Sequence, residues 1–393
     1  MFRPDSLPFS FEDYGVRRQN ARTEMARRGI DYLYVSDPLN LLYLTGYEAI
    51  WYPPRLPVGA LIQTDDARVT LFDWSRHAGY VETSVLCDDI VWLDYAQAVG
   101  TVCDTVRARS GGQSVVALEW QGASPAPGIV RALSAGLQAA GLKVVPGDYL
   151  IDTIRLYKSA AEQTYVRRAA EIADTAMRRL IEDIRPGLTA AEVSAHAGWL
   201  LAQAGSEAPA MPVVVNAGPE AWKDVHGFPS QRRLQAGDVI NVDLCASVSR
   251  YHANLGRSFV LGERHTRLRA FTEAAEGSLG ALQSAAVLDA DPAPAARAAE
   301  NWIRARVPAQ NIWWVGGYAL GLALPPGWVG HTYLANDGAE KCRLAAGYVS
   351  NFETVFIDRD EGFEGGCIDT LLMTQTGFEC LSTLPRRLMD IGI

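Results

Sequence analysis

The chain has 393 residues, and at about 150 residues per domain that length predicts two to three domains. Hydrophobic residues make up 48% and charged residues 21%, a globular balance that excludes a disordered, collagen-like or coiled-coil chain. The net charge of -9, from 36 basic and 45 acidic residues, comes without a Lys/Arg run, so no nucleic-acid partner is expected.

The first stretch with helical spacing covers residues 11–28, with Ala21, Met25 and Ala26 on one face and Gly29 as its stop. DYLYVS at 31–36 reads as a buried strand, and Asp37-Pro38 as a turn. The following LLYLTGYEAIWYPP reads as a strand-like segment dense in aromatics. VGALIQT, RVTLFDW and SVVALE read as further strands, and residues 128–141 as a helix. Strands alternating with helices predict an α/β domain over residues 1–157.

The texture changes at IRLYKS. Residues 160–184 are expected to form a long amphipathic helix that ends before Pro186-Gly187. Thr189 caps a second helix over 190–204, with Glu192 at the capping-box position. Strands follow in MPVVVNAG, GDVINVDLCASVS and GRSFVLG, then helices near 266–285 and 295–306, then strands from Trp313 onward. Residues 158–393 are therefore expected to form an α+β domain.

Six cysteines are scattered without a CxxC pair, which predicts reduced, mostly buried thiols rather than a disulfide framework. The opening MFRPDSLPFSFEDY lacks a basic-then-apolar pattern. No apolar run approaches the ~20 residues of a membrane span. A cytoplasmic protein without a membrane partner is expected.

Residues 237–260, GDVINVDLCASVSRYHANLGRSFV, read as a β-hairpin whose return strand starts near Tyr251. Asp243 interrupts its apolar first strand, where a carboxylate is costly unless paired, hydrogen-bonded or bound to a cation. A functional acid is the favoured explanation over a solvated strand face. His226 lies in VHGFPSQRR, a loop that by itself fits plain surface as well as a general base. GGYALGLALPPGW at 316–328 either brings backbone close to a ligand or is simply a glycine-rich turn, and His331 follows it. Glu353 is a second acid inside an apolar strand, in YVSNFETVF. Glu364 and Asp369 follow in EGFEGGCIDTLLMT, and the sequence leaves open which of them reaches a pocket.

Taken together, GIDYLYVSDPLNLLYLTGY, IRLYKSAAEQTYVRRAAEIAD and these site segments resemble the creatinase/aminopeptidase P/prolidase family over nearly the whole chain. The resemblance implies a pita-bread catalytic domain after the smaller N-terminal one. Such a domain has two pseudo-symmetric halves and a curved antiparallel sheet covered by helices. The resemblance also implies a homodimer. The family's metallopeptidases hold two metal ions through two Asp, one His and two Glu. Carried over, these positions fall on Asp243, Asn254, Tyr318, Glu353 and Ile368. Only Asp243 and Glu353 are kept, too few anionic donors for two hard ions. No cofactor is therefore expected, although the set is compatible with one weakly held divalent ion.

The metal-free branch, which includes creatinase and ectoine hydrolase, is more similar. G-Y-x-x-G-x-x-x-P-P-x-W at 317–328, RYHANLGRSFVLG, GFE at 362–364 and the closing GFECLSTLPRRL look like ectoine hydrolase. EAIWYPPRL departs from it, and Gly256 stands where creatinase has a Glu. The resemblance implies hydrolysis of a non-peptide C–N bond in a small nitrogen-rich solute, a cyclic amidine or guanidine. Asp243 and Glu353 would hold the cation and His226 would move the proton. Tyr318, His331, His252, Asn254 and Glu364 would contact substrate. Trp328, Trp51 and Tyr52 would wall the pocket, the last two from a dimer neighbour. A metal-dependent Xaa-Pro dipeptidase or lyase, and an inactive binding protein, are the alternatives.

Overall fold

The computed structural model describes residues 7–48, 55–122, 124–262, 265–334 and 342–392. The chain divides into two compact units, Met1–Arg155 and Leu156–Ile393. Among the described residues no helix is long and apolar enough to cross a membrane.

The first unit runs α1 (Phe11–Arg28), β1 (Tyr32–Val35), α2 (Pro38–Thr45), β2 (Gly59–Gln63), β3 (Val69–Trp74), α3 (Ala78–Ser84), β4 (Asp89–Leu93), α4 (Ala98–Arg109), β5 (Val115–Leu118), α5 (Pro127–Ala139), β6 (Lys143–Pro146) and α6 (Leu150–Arg155). Its strands form one mixed sheet, ordered β4-β3-β2-β1-β5-β6. Helix α1 starts on a capping box between Ser10 and Asp13 and stops at Gly29, whose φ of 67° is left-handed. Its buried face is Tyr14, Arg17, Arg18, Ala21 and Met25, while Ala26 is exposed. The two arginines turn inward because α2 ends against them. Arg17 donates to the Tyr43 carbonyl (3.1 Å) and Arg18 to the Leu44 carbonyl (3.0 Å). Cations are favoured at such a helix C-terminus.

Helix α2 corrects the sequence expectation of a strand. Asp37 caps it by accepting from the Leu39 and Asn40 N–H groups (2.9 and 3.2 Å), Pro38 occupies its first turn, and Gly46 closes it at φ 74°. The apolar run is buried on nearly every side, so its hydrophobicity carries no period that tells helix from strand.

The second unit runs α7 (Ala160–Asp183), α8 (Ala190–Gln203), β7 (Val214–Ala217), β8 (Val239–Val248), β9 (Tyr251–Leu261), α9 (Thr266–Ala285), α10 (Ala293–Arg304), β10 (Ile312–Gly316), β11 (Val349–Asp358), β12 (Phe363–Thr374), β13 (Gly377–Cys380) and β14 (Met389–Ile391). Its sheet is ordered β10-β11-β12-β9-β8-β7, with β13 on β12 and β14 on β9. Two similar halves are visible: hairpin β8–β9 with α7 and α8, and hairpin β11–β12 with α9 and α10. They meet where Gly256 pairs with Ile368. A Cβ on Gly256 would lie 2.7 Å from the Ile368 side chain, so only glycine lets the halves close there.

Strand period decides what faces the site. Ile240, Val242, Leu244 and Ala246 of β8 pack into one core with Ala173, Met177 and Leu180 of α7 and Val193, Ala197 and Leu200 of α8. The alternate residues Asn241 and Asp243 face the other way. On β12, Phe363 and Cys367 join the core against α9, while Glu364 and Ile368 face the pocket.

Asp369, one residue on from Ile368, falls on the helix side. There it meets Arg257 (2.8 Å) and Arg386, and all three side chains are almost fully buried. Removing the carboxylate leaves two buried guanidinium groups facing each other. We expect Asp369→Ala to cost about 3–5 kcal/mol, read as a shift of the urea midpoint. A loss of only about 0–1 kcal/mol, typical of an exposed pair, would contradict this.

Candidate active site

The inner face of the second unit's sheet carries a pocket of about 130 Å3. Its polar lining is His226, Asn241, Asp243, Tyr318, Glu353 and Glu364, and its apolar walls include Trp313, Trp328, Val329 and Ile368. Asp243 and Asn241 come from β8, Glu353 from β11 and Glu364 from β12, so β8 and the β11–β12 pair bring the acids together from either side of β9. Tyr318 and Trp328 come from the segment after β10. Trp328 Nε1 donates to the Tyr318 hydroxyl (3.1 Å), and the Tyr318 side chain is close enough to Glu353 to lower its pKa.

His226 sits at the exposed mouth with its ring edge against Trp313, centroids 5.2 Å apart. Asn216 Nδ2 holds the preceding residue by donating to the Val225 carbonyl (2.8 Å). Arg232 and Asp238 pair farther along the same loop (2.5 and 3.0 Å).

Behind the acids runs a chain of two side-chain amides. The Tyr318 backbone N–H donates to Asn351 Oδ1 (2.7 Å). Asn351 Nδ2 donates to Asn254 Oδ1 (3.0 Å) and to Glu353 Oε1 (2.5 Å). Asn254 Nδ2 donates to Asp243 Oδ1 (2.5 Å) and to the Leu244 carbonyl (3.1 Å). A backbone donor at one end and a backbone acceptor at the other permit only this direction. Both amides therefore turn N–H groups, not oxygens, toward the carboxylates.

Enclosure raises all three acids. Burial pushes Asp243 up to about 6, against the pull of Asn254. Burial and then the charge of Asp243 push Glu353 up to about 8, against Tyr318 and Asn351. Burial, with a smaller push from Asp243, lifts Glu364 to about 8, against the Asn216 and Asn241 amides. Near neutral pH, Asp243 is mostly ionised and the two glutamates mostly protonated.

Other expected contacts fall elsewhere. His252 is fully buried. It accepts from the Ala210 N–H (3.0 Å), faces the Arg250 carbonyl through Nδ1 (3.0 Å), and is pushed down to about 4 by burial. It is a structural histidine, not a pocket contact. His331 is exposed and is not part of the pocket lining. Asn254 is not part of the pocket lining and acts on it through Asp243 and Asn351. Trp51 and Tyr52 lie outside the described residues. Missed from the sequence were Asn351, Asn241 and Asn216. Asn241 and Asn351 stand two residues before Asp243 and Glu353, so the signal was an N-x-D and an N-x-E pattern inside apolar strands.

The sequence profile of metallopeptidase family M24 matches residues 164–375, and that of the creatinase/prolidase N-terminal domain matches residues 17–157. The chain belongs to metallopeptidase family M24. Like its named M24 relatives it is a hydrolase. It is 27% identical to ectoine hydrolase of Halomonas elongata, over 98% of both chains. It is 26% identical to an Xaa-Pro dipeptidase of Pyrococcus horikoshii, over 62% of this chain and 67% of that one. Its fold is the M24 pita bread after an α/β domain. The prolidase of Thermococcus sibiricus superposes with a TM-score of 0.85 at 17% identity, over 96% of this chain and 99% of that one.

The family name implies metal, and the residues present do not fit a two-metal centre. Of the five positions that the resemblance assigns to ligands, Ile368 has no donor atom. Asn254 presents N–H groups, and the Tyr318 phenol is held well above its ordinary range by burial. Among the described residues no cluster of three His, Cys, Asp or Glu side chains could hold an ion.

The raised acids predict a pH-dependent stability. Their folded pKa values exceed the unfolded ones, so their contribution is complete below about pH 4.5 and is lost as pH rises toward about 8. Each glutamate costs up to about 1.4 kcal/mol per pH unit across that window. Between about pH 6 and about pH 8, Tm is expected to fall less steeply in Glu364→Gln than in the wild type. Equal slopes would show that Glu364 ionises as freely in the fold as outside it.

Proposed function

We propose that this M24 protein is a metal-independent hydrolase of a non-peptide C–N bond in a small, nitrogen-rich cation, a cyclic amidine or a guanidine. The observation that carries this proposal is the N–H face that Asn254 and Asn351 turn toward Asp243 and Glu353. Such acids are set to receive further N–H donors rather than a hard cation. Similarity to an ectoine hydrolase along nearly the whole chain supports the same substrate class.

In this mechanism the ionised Asp243 pairs with an N–H of the bound amidinium or guanidinium. The cation's charge favours ionisation of Glu353, which in turn holds that charge. The flat cation lies against Trp328. Its central carbon is electrophilic. As water attacks that carbon, His226 takes the water's proton and passes it to the leaving nitrogen. The C–O bond forms, the C–N bond breaks, and the products are an amide or urea and an amine. Tyr318, fixed by Trp328, keeps Glu353 oriented through the charge change. A homodimer, a cytoplasmic location and the absence of any cofactor or nucleic-acid partner belong to the same proposal.

The competing reading is a metal-dependent Xaa-Pro dipeptidase; two relatives are named Xaa-Pro dipeptidases. Two measurements separate them. Protein purified without chelator or added metal is expected to carry well under one ion per chain and to keep its turnover of amidines or guanidines in EDTA. Loss of turnover in EDTA, restored by metal, would overturn the proposal. His226→Ala is expected to lose turnover by roughly 100-fold or more with an unchanged melting temperature. Full turnover in that variant would remove His226 from the chemistry.

A further inference from the structure

Glu364 stands outside the amide chain that orders Asp243 and Glu353. It lies on the inner face of β12 and is 1% exposed. Its Oε1 accepts from Asn241 Nδ2 (2.7 Å). Its Oε2 makes no hydrogen bond of normal geometry among the described residues, although the Asn216 amide is near enough to lower its pKa and the side chain lines the pocket. A buried polar oxygen without such a bond is uncommon and points to a group that arrives later. Asn241 pairs across the sheet with Asn216, which also holds the loop of His226 through the Val225 carbonyl. The position of Glu364 is thus tied to that of the proposed base. Among the described pocket-lining residues there is no Lys or Arg.

We propose that Glu364 is the specificity residue of this pocket: its Oε2 takes an N–H of the substrate cation, so the enzyme selects a carboxylate-free amidine over an amino-acid zwitterion. This rests on the amidine reading above. One N–H of the cation meets Asp243 and another meets Glu364. A carboxylate on the ligand would instead meet Asp243, Glu353 and Glu364 with no cationic side chain in the described lining to balance it. Rejection by an unmatched charge is as effective a source of specificity as a new contact.

Two probes test this by titration calorimetry: ectoine, and the same methylated six-membered amidine ring without its carboxylate. The wild-type chain is expected to bind the bare ring at least about 10-fold more tightly than ectoine. Glu364→Gln keeps an oxygen for Asn241 but presents an amide to the ligand. It is expected to bind the bare ring less tightly and to bring the two affinities within about 3-fold, with an unchanged circular dichroism spectrum. Tighter binding of ectoine by the wild type overturns the proposal, and that ranking needs no variant to fold. An undiminished preference in Glu364→Gln overturns it too. Binding of neither ring removes the amidine reading itself and this proposal with it.

Discussion

A backbone N–H can only donate and a backbone carbonyl can only accept, and the site is ordered between one of each. The Tyr318 N–H sets Asn351, Asn351 sets Asn254, and the Leu244 carbonyl takes the last proton. Flipping either amide would face oxygen to oxygen and strand buried groups, at about 1–3 kcal/mol for each lost partner. Asn254 is further locked because its own backbone N–H and carbonyl both bond the Thr370 hydroxyl (2.7 and 2.9 Å). The chain spans β8, β9 and β11 together with the segment after β10, so the orientation of the acids depends on the whole sheet being assembled.

That sheet has two chemically opposite faces, and strand period keeps them apart. Helix-facing residues of β8 are Ile, Val, Leu and Ala, while Asn241 and Asp243 face the pocket. A shift of one residue exchanges the faces. This is why Glu364 lines the pocket while Asp369 is buried between two arginines. It is also why neither acid could serve in the other's place. The apolar face supplies the burial that supports a polar inner face, and glycine at 256 lets the two hairpins meet closely enough to share one pocket.

Much of this was legible in local sequence. The helix at 11–28, its glycine stop, the Thr189–Glu192 capping box and the hairpin at 239–261 all rest on residues a few positions apart. The exceptions have physical reasons. In α2 burial on all sides removed the period, and the evidence for a helix lay in Asp37 and Gly46 rather than in the apolar residues between them. His252 shares strand parity with Asn254, but two residues along a strand move a side chain about 7 Å. That places it against Ala210 instead of the pocket. Asn351 and Asn254 lie 97 positions apart, and no local pattern shows that they touch. The two kept acids could be read from the sequence, whereas the direction of the amides between them is a property of the fold.

Each pocket acid has one oxygen held by an asparagine: Asp243 by Asn254, Glu353 by Asn351, Glu364 by Asn241. An amide donor orients a carboxyl group without cancelling its charge, as an arginine or a metal would. Three ionised carboxylates could not share an enclosed space of this size without a cation. With burial raising their pKa values, two of them keep their protons and the empty pocket carries little charge. An arriving cation reverses that balance, because its charge stabilises carboxylates that solvent does not reach. Binding of a cation would then be accompanied by release of protons from these acids. A neutral ligand would leave the two glutamates protonated, whereas a cation would favour their ionised forms.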